Sequence, residues 1–343
     1  MTTLKIGMFV AGASMLYFLL SRANLAATFR MISNIGLYAP CIVAMYFLGC
    51  LMDTSAWMLI LDPVRSRIPF TTLLKIHISG ESLYRCLPMG AVAGETMKTM
   101  LLSRQSRLAT TEIVSSLILR KLFLGLSQGL YIGIGVLLGI AFLSRGSFLE
   151  ITAAGFSLLL LVVFILLGIF LSGGTLFSRI FSILNTIPGV RKKIKSQRKS
   201  WESIDGDVRN FLERKRSLSV AVTALFFGGW LTEFFETCLI LLSLSIPISV
   251  HQAMLFEPVV SLTRSLAFFL PGGIGIMDSG YASVFSSIGI AHAVVAGAAF
   301  VLIKRGKEIL WIIVGLLLLW FQSSRQKLST PRVAVVEIRT ETV

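Results

Sequence analysis

Apolar residues in this chain form long runs separated by short polar breaks. Phe148–Leu171 and Leu218–Ile246 each stay predominantly apolar for longer than the ~20 residues that cross ~30 Å of hydrocarbon. The pattern predicts helices over Ile6–Leu20, Ile35–Leu61, Phe148–Leu171 and Leu218–Ile246. It also predicts two longer segments, Thr111–Leu143 and Ala291–Phe321, each interrupted by basic residues. Ala291–Phe321 is long enough to tilt across as one helix, or it breaks at Gly306; both stay open. Ile6–Leu20 has the length of a signal-peptide core, but no convincing small-residue cleavage site follows, so it is read as an uncleaved span. Two stretches, 70–102 and 252–290, are too polar and too broken to span comfortably. The expectation is an all-α polytopic membrane protein with about six full spans.

Composition removes the soluble alternative. Hydrophobic residues make up 55% of the chain, charged residues only 14%, and mean hydropathy is +0.82; a soluble domain carries about 25% charged residues. The four cysteines (Cys41, Cys50, Cys86, Cys238) lie in or near apolar segments without CxxC spacing, and read as small buried hydrophobes. The three histidines (His77, His251, His292) are scattered. No metal or cofactor is expected.

Charge orients the chain. There are 32 Lys+Arg against 17 Asp+Glu, a formal net charge of +15. Eleven of the cations fall in one loop, Ser172–Ser217. With that loop in the cytoplasm, inside loops and tails carry eighteen cations and outside connections three. The positive-inside rule therefore predicts cytoplasmic N- and C-termini. The basic loop is expected to lie on anionic headgroups, with Thr175–Ile187 as an amphipathic interfacial helix. Nucleic-acid binding is not expected, because topology already accounts for the basic patch.

The two broken stretches resemble each other. Leu87-Pro88-Met89-Gly90-Ala91-Val92-Ala93-Gly94-Glu95 matches Leu270-Pro271-Gly272-Gly273-Ile274-Gly275-Ile276-Met277-Asp278. In each an acid follows the proline by seven residues, and an apolar run then leads to a basic pair, with 32 residues from Pro88 to Arg120 and 33 from Pro271 to Lys304. The first stretch starts from the cytoplasmic side and the second from the outside. That predicts an inverted repeat of two re-entrant helical hairpins dipping in from opposite faces. Non-helical backbone at membrane depth is tolerated only when buried in protein or lining a wet cavity. Proline removes a helix donor, and glycine permits the reversal and close backbone approach. Broken helices at a repeat interface near the midplane are a mark of transporter binding sites.

Pro271-Gly272-Gly273-Ile274-Gly275 after an apolar run resembles the signature of the lysylphosphatidylglycerol synthase transmembrane-region family. The segment Leu87–Lys121, with Gly94-Glu95, the Leu101-Leu102-x-Arg104 run and Arg120, is similar to the family's first-half motif. The resemblance covers roughly residues 1 to 325. The family includes the flippase domain of the multiple peptide resistance factor and stand-alone membrane proteins, some associated with hopanoid synthesis. One departure is that Asp278 stands where family members often carry a glutamate. No aminoacyl-transferase domain accompanies the segment. The resemblance thus implies translocation of a lipid or lipid-linked substrate, not aminoacyl-lipid synthesis, and a bacterial inner-membrane location.

Charges at membrane depth are costly, and they usually face a cavity or a partner. Arg120/Lys121 and Lys304/Arg305/Lys307 fall within apolar runs. They are candidates to hold a lipid or polyprenyl phosphate, Arg by bidentate contact and Lys as a point charge. The alternative is that each run is two short helices whose cations are wetted at an interface. Glu233 and Glu236 share one helix face and are candidates to pair with Lys304 or Arg305, or to take up a coupled proton. Glu95 and Asp278 either face the cavity or cap the second arms of the hairpins. Glu81, Arg85 and Arg264 are cavity candidates on the first arms. Pro88, Gly90, Gly94, Pro271, Gly272, Gly273 and Gly275 form the turns.

The chain is expected to divide into an N-terminal membrane half (1–171), a basic cytoplasmic loop (172–217), a C-terminal membrane half (218–321) and a cytoplasmic tail (322–343). The predicted function is flipping of an anionic lipid or lipid-linked intermediate, with membrane lipids as partners and homodimer formation left open. The alternatives are a non-transporting partner of a lipid-modifying enzyme and a membrane-embedded lipid-phosphate enzyme. The enzyme reading lacks paired histidines, a DxxD set or a GxSxG turn, so no catalytic residues are assigned.

Overall fold

The computed structural model describes residues 25–33, 35–61, 68–87, 90–106, 108–142, 176–186, 198–214, 216–246, 276–287 and 293–327, with a few single positions between them. These form ten helices: α1 (Leu25–Ser33), α2 (Tyr38–Leu61), α3 (Phe70–Cys86), α4 (Gly90–Gln105), α5 (Thr110–Phe142), α6 (Leu176–Asn185), α7 (Arg198–Arg214), α8 (Arg216–Ser243), α9 (Ile276–Ser287) and α10 (Ala293–Lys327). The expected spans Ile6–Leu20 and Phe148–Leu171 lie outside the described helices, as do Pro88, Arg264, Pro271, Gly272, Gly273 and Gly275.

The distribution of side chains is inverted relative to a protein in water. Arg120, Lys98, Glu236 and Asp278 are each 1% exposed, whereas Leu37 is 86% and Val220 70% exposed. Phe235, Leu242, Ile309, Ile313 and Trp320 also face outward. Only a hydrocarbon surround stabilises apolar side chains outside and charges inside. Stretches of α2, α5 and α8 (Tyr38–Leu61, Thr110–Gly135 and Ser217–Ser243) are long and apolar enough to cross a membrane. The chain is therefore a multi-pass membrane protein. Cys50 is buried as expected, but Cys41 is exposed; an apolar side chain that meets lipid need not be covered by protein.

Both basic-interrupted segments are single helices. α5 runs 33 residues through Arg120-Lys121, and α10 runs 35 residues through Lys304-Arg305-Gly306-Lys307. At 1.5 Å per residue α10 is about 50 Å long, more than the hydrocarbon needs. The sequence alternative of two short helices at each place is therefore replaced by one. The cations stay helical because buried acids meet them.

Local signals set the helix ends. The carboxylate of Glu112 accepts from the Ala109 N–H at 2.8 Å, capping α5. α8 closes with the Ile246 N–H donating to the Leu241 carbonyl and the Ser245 N–H to the Leu242 carbonyl, both at 3.0 Å. Ser245 takes the left-handed φ of 54° that this closure requires.

The 70–102 stretch is a helical hairpin. α3 ends at Cys86, α4 begins at Gly90, and the two pack on each other. A Cβ at Gly90 would overlap the Tyr84 carbonyl, and one at Gly94 would lie 2.6 Å from the Gly80 carbonyl oxygen. The arms approach closely because neither glycine carries a side chain. Gly94→Val should destabilise the protein by about 1–3 kcal/mol through this overlap. A lower thermal midpoint in detergent would show it, and an unchanged midpoint would mean the arms do not meet as described.

The hairpin leans on α10 and α2, while α2 makes its most extensive contact with α8. There Gly49 meets Thr232 and Gly228 meets Met52, the close approach that small residues permit between membrane helices. α5 touches α2, α4, α7 and α8, and α9 packs on α10. The basic 172–217 stretch contains a second helix beyond the expected amphipathic one. α7 places Trp201, Ile204, Val208, Phe211 and Leu212 at helical spacing; Phe123 of α5 meets Phe211 at 5.9 Å between ring centroids. Asp205 accepts from the Ser178 backbone N–H at 2.8 Å, capping α6 from α7, and Ser115 of α5 donates to Asp207 at 3.1 Å. The basic density hid this helix, because Arg198–Glu202 and Arg209–Glu213 pairs cover its exposed face.

Candidate functional site

Charged side chains from seven helices converge on the interior in two clusters. The first draws on α2, α3, α4 and α5. The Arg120 guanidinium grips Asp53 with two parallel bonds of 2.7 Å, the strongest ion-pair geometry a protein offers. Lys98 donates to Glu81 at 2.8 Å and Lys121 to Glu95 at 2.8 Å. Crosslinks join these pairs: Lys98 and Arg120 each reach Glu95 Oε1 at 3.3 Å, and Arg120 lies 3.6 Å from Glu81. His77 sits buried behind them, with Nδ1 3.4 Å from Arg120 Nη2 and Nε2 4.0 Å from Asp53. A guanidinium only donates, so Nδ1 accepts and the ring proton belongs on Nε2, facing Asp53.

The second cluster draws on α3, α8, α9 and α10. Lys307 places its ammonium 2.6 Å from both oxygens of Glu236, and Lys304 reaches the same carboxylate at 3.2 Å. Arg305 donates to Asp278 at 2.8 and 3.0 Å and to Glu308 at 2.6 Å. Arg85 takes the other oxygen of Glu308 at 2.9 Å. Aromatic faces supply further stabilisation: Arg85 and Lys307 lie 5.2 and 5.3 Å from the Tyr46 ring, Lys304 lies 5.6 Å from Tyr281, and Lys121 lies 5.7 Å from Tyr84.

A cavity of about 230 Å³ lies between the clusters. Arg120, Lys121 and Glu81 line it from one side; Lys304, Lys307 and Glu236 line it from the other. Glu233 also lines it, one turn before Glu236 on α8. Such a space holds water or a small polar headgroup, and its charges rearrange only by exchanging partners, since breaking a buried pair outright is costly.

The two clusters are related by a constant register. Asp53, Glu95 and Lys121 each precede their counterparts Glu236, Asp278 and Lys304 by 183 residues, as Pro88 precedes Pro271 and Gly90 precedes Gly273. In both halves the spanning-helix acid is paired with a cation of the long basic-interrupted helix, by Arg120 in one and Lys304 with Lys307 in the other. In both, the acid seven residues past the proline is also paired with that helix, Glu95 with Lys121 and Asp278 with Arg305. This register corrects the sequence alignment of Arg120 with Lys304: Lys121 is the counterpart. Arginine precedes that lysine in the first half and follows it in the second, so the two arginines are not equivalent.

Of the predicted site residues, Arg85, Arg120, Lys121, Lys304, Lys307, Glu81, Glu233 and Glu236 line the cavity, while Glu95, Asp278 and Arg305 stand behind it as partners. Glu95 does not cap its helix, because α4 begins at Gly90 and has no acid in its first turn. Asp278 does lie in the first turn of α9 and also pairs with Arg305. Sequence reasoning missed Asp53, His77, Lys98 and Glu308. Asp53 was detectable as the lone acid of an otherwise apolar span, which on its own marks a functional or paired residue.

The chain matches the family described as lysylphosphatidylglycerol synthase TM region over residues 4–315. No curated protein and no solved structure matches it. The match spans most of the chain, which therefore belongs to that family.

Proposed function

We propose that this member of the family moves a phosphate-bearing lipid headgroup across the bacterial inner membrane, through the cavity between its two charged clusters. The observation that carries this is the 183-residue register, which brings an acid and a lysine from each half to one interior cavity, with a second acid of each half paired behind them. Inverted halves meeting at a charged midplane cavity are the architecture of alternating access. In this reading the α3–α4 hairpin enters from the cytoplasmic face, and its counterpart with α9 as second arm enters from the outside. Both termini are cytoplasmic.

Lys121 is the residue to test, because its side chain is 41% exposed while Arg120 is 1% exposed. It is the cation best placed to leave its acid for a phosphate. In proteoliposomes carrying acyl-labelled lipids, with dithionite bleaching the outer leaflet, the wild-type chain should equilibrate the label between leaflets. Lys121→Ala should slow this by about tenfold or more, the loss of one charged contact. Well-folded wild-type protein that moves no lipid would leave the partner-protein reading in its place.

A further inference from the structure

The helices α6 and α7 present apolar surface that packing within the chain does not cover. Among the described residues, the extensive contact of α6 is with α7. Phe181 is buried there, 6.0 Å from Trp201 between ring centroids, and Asp205 of α7 accepts from the Ser178 N–H. With about 100° per residue, Ile183 stands about 200° round α6 from Phe181. Ile183 is 65% and Ile180 36% exposed, and Arg179 is exposed beside them. An apolar edge flanked by a cation is the pattern of a helix lying in a membrane interface. Charge is segregated in the same sense. From Ser172 to Gln197 there are five cations (Arg179, Arg191, Lys192, Lys193, Lys195) and no acid; the four acids of the 172–217 stretch all lie on α7. The positive-inside rule counts cations over the whole loop and does not require this division.

We propose that α6 docks on an anionic membrane surface, with Ile180 and Ile183 in the acyl boundary and Arg179 at the headgroups, and that α7 braces the docked helix against α5. The chain places the pair at that surface: α7 ends at Arg214, α8 begins at Arg216, and α8 is long and apolar enough to cross a membrane from Ser217. Only α6 lies in the lipid. α7 stands behind it, its Val208 and Phe211 buried with Leu119 and Phe123 of α5 and its Asp207 accepting from Ser115 of α5. Phe123 lies two residues past Lys121, so the brace bears on the helix that carries a cavity-lining cation. Binding stabilises the arrangement that binds. Anionic lipid should therefore hold α7 as well as α6, since Asp205 and the Phe181–Trp201 contact join them. The inference stands apart from lipid translocation and does not need it.

Hydrogen–deuterium exchange of the full chain in lipid nanodiscs tests this, comparing phosphatidylcholine alone with equal parts phosphatidylcholine and phosphatidylglycerol. Amides of 176–185 and of 198–214 should both exchange at least about tenfold more slowly with the anionic lipid, the effect of one or two cations near such a surface. High salt should remove the difference by screening. Equal exchange of 176–185 in the two lipids overturns the anionic docking, whether fast, as on an uncovered face, or slow, as under a neutral bilayer or a second copy of the chain. Slowing confined to 176–185 overturns the brace. Ile180→Ser combined with Ile183→Ser changes only exposed positions and should abolish the lipid effect on both helices. A lipid effect that survives in that variant overturns the role given to the apolar edge.

Discussion

Arg120→Met should destabilise the folded protein by about 3–5 kcal/mol, because it leaves the half-buried Asp53 without its guanidinium. The bidentate contact is 2.7 Å long at both bonds, and Asp53, 18% exposed at the cavity wall, has only partial access to water once the guanidinium is gone. Replacing Asp53 as well, in an Asp53→Leu, Arg120→Met double variant, should recover most of the loss, since an apolar pair of similar volume is often no worse than a buried ion pair. Thermal midpoints in detergent for the two single variants and the double variant form the cycle. A double variant as unstable as Arg120→Met alone would mean that the crosslinks to Glu81 and Glu95, not the Asp53 pair, carry the effect. Arg120 is consequently a poor probe of transport, although its place in an apolar run makes it the obvious choice: its loss is expected to be read first as loss of fold.

Glu236→Gln should be comparably damaging, for the opposite sign of charge. Glu236 is the shared acceptor of Lys304 at 3.2 Å and Lys307 at 2.6 Å, and neither lysine is more than 9% exposed. Neutralising it leaves two ammonium groups facing each other across one amide, a loss again of about 3–5 kcal/mol. Lys307→Met added to Glu236→Gln should restore part of the stability by removing one of them. Failure of that rescue, with the single variant unstable, would place the requirement on the Glu236 carboxylate itself, beyond its role as a counter-ion.

Much of this was legible in the sequence, for identifiable reasons. Apolar runs report the hydrocarbon directly, so α2 and α8 begin and end within a few residues of expectation. The α3–α4 break followed from proline and glycine chemistry at 88–94. The lysines and arginines of α5 and α10 stood out because nothing apolar surrounds a charge without cause. Pairing was legible only in part: Glu236 with Lys304 was among the partners expected, and the other long-range pairs were not. Arg85 meets Glu308 across 223 positions and Lys307 meets Glu236 across 71, and no local rule links positions so distant. His77 looked incidental for the same reason: its neighbours come from other helices. The helix α7 was hidden by its own charge density, which topology alone was sufficient to explain.

The close pairing of interior charges has an electrical side. A charge that shifts across the whole membrane field exchanges about 2.3 kcal/mol with each 100 mV of potential. An acid and a base that stay paired, as Arg120 and Asp53 do at 2.7 Å, carry no net charge along that field when they move together. Membrane voltage then acts only on a charge that leaves its partner, as Lys121 would on leaving Glu95, and a rate that differs between polarised and depolarised vesicles would mark such an exchange.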